Sequence, residues 1–164
     1  DVLPVLTSAA AAMTLRARAA GLTLHVDAPA ALPPLRVWPE QIEAILLNLL
    51  DNAIKYTPAG GQVRLAALVT ADERCQVQVM DTGSGIPEAD LPHIFERFYR
   101  VDKARQRQSG RRSINSGAGL GLSIVRALVA QNGGRITVAS AVGQGATFTL
   151  DFPLAGPQPA APAP

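Results

Sequence analysis

Two runs of alternating residues, "QVRLAALVT" (62–70) and "RCQVQVMD" (74–81), stand three residues apart and constrain the fold more than any other feature. Period-two alternation places successive side chains on opposite faces of a strand, and a spacer as short as "ADE" leaves room only for an antiparallel hairpin. Each run carries one apolar row, so the sheet they begin has one face to cover. Two more alternating runs, "RITVAS" (135–140) and "GATFTLDFPL" (145–154), form a second hairpin around "AVGQG". "LTLHVD" (22–27) reads as a further strand with Leu22, Leu24 and Val26 on one face.

The cover for that face is also legible. Residues 5–20 read as a helix ending at Gly21, which suits a left-handed cap. Pro39 fits the first turn of a helix running to Tyr56, with Ile42, Ile45, Leu46, Leu49 and Leu50 as its apolar stripe. "GLGLSIVRALVAQNGG" (119–134) is an amphipathic helix opening and closing on glycines, and "TGSGIPEADLPHIFERFYR" (82–100) is a glycine turn leading into one or two short helices. Strand pairs joined by short turns exclude a strict alternation of strand and helix. The expected architecture is an α/β (α+β) two-layer sandwich, a mixed and largely antiparallel sheet covered on one face by helices.

Composition sets further bounds. With 164 residues, 48% hydrophobic and 17% charged, the chain supports one domain with a real core and is not disordered overall. The net charge of +2 gives no general reason to expect nucleic acid. Cys75 is the single cysteine, which excludes an internal disulfide, and its place in an alternating run suits a small buried side chain. No apolar run reaches membrane-spanning length. Residues 100–112 concentrate basic charge in a polar, aperiodic stretch read as a solvated loop; docking to an acidic surface or to phosphates is the sharper alternative.

Three polar features interrupt these patterns. On the Pro39–Tyr56 helix, Asn48 and Asn52 are one turn apart, followed by Lys55 and Tyr56. An amide oxygen suits Mg²⁺, a lysine one turn on would neutralise phosphates, and a tyrosine could lie against a base or ribose; a solvent-facing polar edge accounts for the same residues. "DTGSGI" (81–86) follows a strand, and its glycines allow a ligand close to the backbone while Asp81 could accept a hydrogen bond from an amine, though any Asp-Gly turn looks alike. "GAGLGL" (117–122) opens a helix whose N–H groups favour an anion. It is neither a Walker motif nor a dinucleotide fingerprint.

In their order and spacing, "NLLDNAIKYTP", "DTGSGIPEADLPHIFERFYRVDKAR", "GAGLGLSIVRALVAQNGG" and "GQGATFTL" resemble the N, G1, F, G2 and G3 boxes of bacterial sensor histidine kinases, over roughly residues 20–153. The resemblance implies the Bergerat ATP-binding fold of the wider superfamily that includes gyrase-type and chaperone ATPases, with ATP and Mg²⁺ as cofactors. Carried over residue by residue, Asn52 is the metal ligand, Asn48 stands beside it, and Lys55 and Arg100 meet the phosphates, with Arg97 a weaker candidate. Tyr56 packs near the nucleoside. Asp81 reads the adenine amino group, and Gly83, Gly85 and Ile86 shape that wall. Phe95 and Phe98 fix the base of a lid spanning about 99–118. Gly117, Gly119, Leu120, Gly121 and Leu122 form its hinge and the phosphate-facing helix start.

The resemblance further implies transfer of the γ-phosphoryl group to a histidine on a separate dimerisation domain, and from there to a response regulator. Neither His25 nor His93 resembles that acceptor, so it is expected upstream, with residues 1–20 as a linker helix, 21–154 as the kinase domain and 155–164 as a Pro/Ala tail. The family's hydrolases commonly carry a glutamate four residues before the metal-binding asparagine. Here Asn48 holds that position and cannot take a proton at neutral pH. That favours a kinase over the alternatives, a hydrolase or a degenerate nucleotide-binding module. No nucleic acid and no membrane contact by this chain are expected; a cytoplasmic domain of a membrane-anchored homodimeric parent is.

Overall fold

The structure, a computed structural model, describes residues 2–101 and 119–155. Its elements are α1 (Leu3–Ala19), β1 (Thr23–Asp27), α2 (Pro39–Tyr56), β2 (Gln62–Val69), β3 (Arg74–Asp81), α3 (Gly121–Gln131), β4 (Arg135–Ser140) and β5 (Ala146–Pro153). Both hairpins form as the alternation requires, and the five strands make one sheet in the order β1-β2-β3-β5-β4. β1 pairs parallel to β2, and every other pair is antiparallel.

Register explains the core. Leu65 lies opposite Val79, and Ala67 opposite Val77. On the other side of β3, Cys75, Val77 and Val79 face Phe152, Leu150 and Phe148. These residues are all buried, whereas Gln62 and Arg64 on the opposite face are exposed. The inward rows pack under Leu6, Ile42, Ile45, Leu46, Leu49, Leu50, Val125 and Val129 from the three helices. Cys75 is wholly buried, and desolvation pushes its thiol up from the ordinary value.

The helix ends follow local chemistry. Gly21 has φ +72°, and the Leu22 N–H returns to the Ala17 carbonyl at 2.9 Å, closing α1 with a left-handed cap. Gly133, at φ +66°, closes α3 in the same way, with the Gly134 N–H on the Val129 carbonyl at 2.9 Å. α1 buries Leu6, Ala9, Ala10, Met13 and Ala17, so it is an integral part of the helical layer.

Two expectations need correction. Residues 87–99 contain no helix: successive i→i+3 bonds, such as Asp90 N–H to Pro87 and Glu96 N–H to His93, make a chain of turns. Pro92 has no N–H to give the Glu88 carbonyl and pushes Leu91 away from helical angles, so an i→i+4 ladder begun at Pro87 cannot pass it. In β1, Leu24 is half-buried and Val26 is 48% exposed despite sharing the inward register, because an edge strand has cover on one flank only. No helix among the described residues is long and apolar enough to cross a membrane.

Candidate functional site

A cleft of about 440 Å³ opens between the C-terminal half of α2, the N-terminus of α3 and the ends of β3 and β5. Its size suits a small-molecule site. α2 contributes Asn48, Asn52, Lys55 and Tyr56; the β3 end and following turn contribute Asp81, Gly85 and Ile86. Arg100, Gly119, Leu120, Gly121 and Leu122 close the remaining side, over a floor of Ala146 and Phe148.

Each polar group is held in a definite way. The Asn48 amide nitrogen donates to the Ala44 carbonyl at 2.8 Å, which fixes which end of the amide is oxygen. That Oδ1 faces α3: a Cβ added to Gly121 would lie 3.0 Å from it, so glycine keeps the helix start open. The Asn52 side chain makes no hydrogen bond to another described residue and presents its half-buried amide to the cleft. Lys55 lies over the Tyr56 ring, its Nζ 5.0 Å from the centroid.

Asp81 ends the inward row of β3, opposite Val63 of β2. Burial pushes its carboxyl above the ordinary range, while N–H donors from Gly83 and Ala146 pull it down. Both donors bind Oδ1, at 2.8 and 3.3 Å, which leaves Oδ2 for a ligand. Gly85 is at φ +68°, and a Cβ there would stand 1.9 Å from the Ala141 carbonyl oxygen.

Not every expected site residue lines the cleft. Phe98 does not line the cleft; it is 62% exposed at φ +64°, with its N–H on the Gly119 carbonyl at 2.9 Å. The left-handed backbone turns its ring outward, so Phe98 joins the two chain segments at Gly119 through its main chain. Gly83 is buried behind the wall, where a Cβ would meet the Tyr56 carbonyl oxygen at 2.5 Å. Phe95 packs edge-on against Phe148, ring centres 6.5 Å apart. Arg97 is exposed and away from the cleft, whereas Arg100 lines it. His93 pairs with Glu96 at 2.8 Å. Gly117 and most of the basic stretch lie outside the described residues.

Sequence reasoning missed several contributors, among them Arg16 and Ser140. Arg16 of α1 reaches the cleft and forms an ion pair with Asp51, the neighbour of Asn52. Ser140, at the end of β4, bonds both the Ile86 N–H and the Gly145 carbonyl. A hydroxyl just before a glycine-bounded hairpin was the available signal for Ser140; nothing in the pattern of α1 marked Arg16.

The residues fit ATP and Mg²⁺. An unpartnered neutral amide on Asn52, an open helix N-terminus and a carboxylate with one spare oxygen are the donor set that a metal, phosphates and an amino-bearing base require.

Comparison with known proteins agrees. The model of the family described as histidine kinase-, DNA gyrase B- and HSP90-like ATPase matches residues 39–156. The adaptive-response sensory kinase SasA of Synechococcus sp. (strain JA-2-3B'a(2-13)) is 43% identical over 133 residues, 81% of this chain and 33% of that protein. The sensor histidine kinase RppB of Synechocystis sp. (strain ATCC 27184 / PCC 6803 / Kazusa) is 37% identical over 137 residues, 81% of this chain and 29% of RppB. The chain thus spans about a third of the length of such relatives. Full-length ShkA in complex with AMPPNP superposes with a TM-score of 0.80 at 34% identity, covering 94% of this chain and 30% of ShkA. The chain belongs to the histidine kinase-, DNA gyrase B- and HSP90-like ATPase family, and within it to the catalytic domains of sensor histidine kinases.

Proposed function

We propose that this domain binds Mg-ATP and passes the γ-phosphoryl group to a histidine on a separate dimerisation domain, in signalling to a response regulator. The observation that carries this reading is the polar edge of α2 facing the start of α3 across the cleft, with Asp81 at its far wall. Asp81 Oδ2 accepts from the adenine amino group; Tyr56 and Ile86 flank the nucleoside. Lys55, Arg100 and the N–H groups at the start of α3 hold the phosphates. Asn52 holds Mg²⁺, which would neutralise developing charge on the transferred group.

Asn48 argues for transfer over hydrolysis. Its nitrogen is committed to Ala44, and an amide cannot take a proton from water. Neither His25 nor His93 lines the cleft, which accords with an acceptor on another domain. ShkA, whose structure holds AMPPNP, supports a nucleotide as ligand. Membrane anchoring of the parent protein, as part of this reading, belongs to segments outside this chain.

The test supplies purified chain, Mg-ATP and a separate histidine-bearing dimerisation domain, and follows phosphate transfer. Asn52→Ala is expected to abolish labelling while the domain still folds. Labelling at the wild-type rate overturns the assignment.

A further inference from the structure

The Gly145–Ala146 peptide unit is held from both sides. Its carbonyl accepts a hydrogen bond from Ser140 Oγ at 2.6 Å. Its N–H donates to Asp81 Oδ1 at 3.3 Å. A peptide unit is planar, so fixing the direction of the carbonyl fixes the direction of the N–H. Gly145 is at φ +77°, and a Cβ there would lie 1.9 Å from the Asp81 carbonyl oxygen. Glycine at 143, also left-handed at φ +78°, leaves the hairpin backbone little steric restraint of its own. The β4–β5 ladder ends at the Ser140–Ala146 pair, and the side-chain bond that holds this plane there is the one from the Ser140 hydroxyl.

The same oxygen does a second task. It accepts the Ile86 N–H at 2.9 Å, and Ile86 lines the cleft. A hydroxyl has one proton to give, and here it goes to Gly145 while a lone pair receives Ile86. Ser140 therefore ties together the two pieces of backbone that stand either side of the base-reading carboxylate. The Gly143 N–H on the Ser84 carbonyl at 2.8 Å, and Gly85 packed against Ala141 without room for a Cβ, show how closely the hairpin is seated on that turn.

We propose that Ser140 is a positioning residue for base specificity: through the Gly145–Ala146 peptide it sets the rotamer of Asp81, and through Ile86 the wall beside it. Ser140 does not itself touch the nucleotide. The inference rests on the reading of Asp81 as the group that recognises adenine.

The experiment measures affinities of the full chain for ATP and GTP, by competition against a fluorescent ATP analogue, for wild type, Ser140→Ala, Ser140→Thr and Asp81→Asn. Ser140→Ala is expected to weaken ATP about tenfold, the scale of one lost orienting hydrogen bond, with GTP nearly unchanged. Ser140→Thr, which keeps the hydroxyl, is expected to retain the preference for ATP. A Ser140→Ala protein with the wild-type ATP/GTP ratio overturns the inference even if its melting temperature falls. Should alanine prevent folding, Ser140→Cys, a weaker donor, is read by the same ratio and is expected to lower it. Asp81→Asn separates the two claims. If it leaves the ratio unchanged, the base-reading role of Asp81 fails; if it collapses the ratio while Ser140→Ala does not, only the role of Ser140 fails.

Discussion

Asp81 sits where function and stability pull apart. Burial raises its carboxyl above the ordinary 3.8 against the pull of two N–H groups. A carboxyl raised in the folded state favours folding fully while protonated, below the unfolded value, and that contribution is lost as pH rises through the raised folded value. At pH 7 the ionised group therefore opposes folding, and Asp81→Asn removes the charge while its amide oxygen still accepts from Gly83 and Ala146. The unliganded variant is expected to melt above wild type at pH 7, the gap closing toward pH 4, while ATP binding is lost. Calorimetry across pH, with and without ATP, checks both. At this scale Asn48, Asn52, Lys55, Asp81 and Gly85 were legible because short spacing within one helix or turn fixes who neighbours whom. Ser140 and Arg16 were not, since each reaches its partner from a separate element: Ser140 meets Ile86 across 54 residues.

At the scale of elements, the cleft depends on α2 and α3 keeping their separation, and Asn132 holds them. Its Oδ1 accepts the Trp38 N–H at the start of α2 at 2.8 Å, and its Nδ2 donates to Gln41 Oε1 at 2.7 Å and to the Leu128 carbonyl at 2.8 Å. It is one of two buried polar residues among those described. Asn132→Ala leaves the Trp38 donor without its acceptor, a loss of about 1–3 kcal/mol. The expected result is a lower urea midpoint together with weaker ATP binding, since α2 and α3 carry opposite sides of the site. Helix ends and hairpins were readable in advance because proline, glycine and alternation act locally. Residues 87–99 look helical as an apolar, charge-dotted run, but Pro92 lacks the N–H that a ladder begun at Pro87 needs.

For the whole molecule, α1 decides more than its sequence suggested. It lies before the segment matched by the family model, yet Leu6 and Met13 are buried in the common core and Arg16 reaches the cleft beside Asp51. Burying each large apolar side chain contributes about 1.5–3 kcal/mol. Deleting residues 1–20 uncovers the α2 face that packs on α1, and the truncated chain is expected to lose cooperative unfolding, as followed by circular dichroism on heating. A truncated chain that melts as sharply as the full one would place α1 outside the domain. The sequence by itself determined the five strands, the three long helices, the covered face of the sheet and the polar motifs at the cleft, since periodicity, caps and spacing are short-range properties of the chain. Tertiary structure decided that Asp81 is half-buried with one oxygen committed, that Phe98 turns outward, and that Ser140 and Arg16 belong at the site. Those outcomes depend on which strands pair, in which register, and on which helix lies over them, and pairing across tens of residues leaves no local mark in the chain.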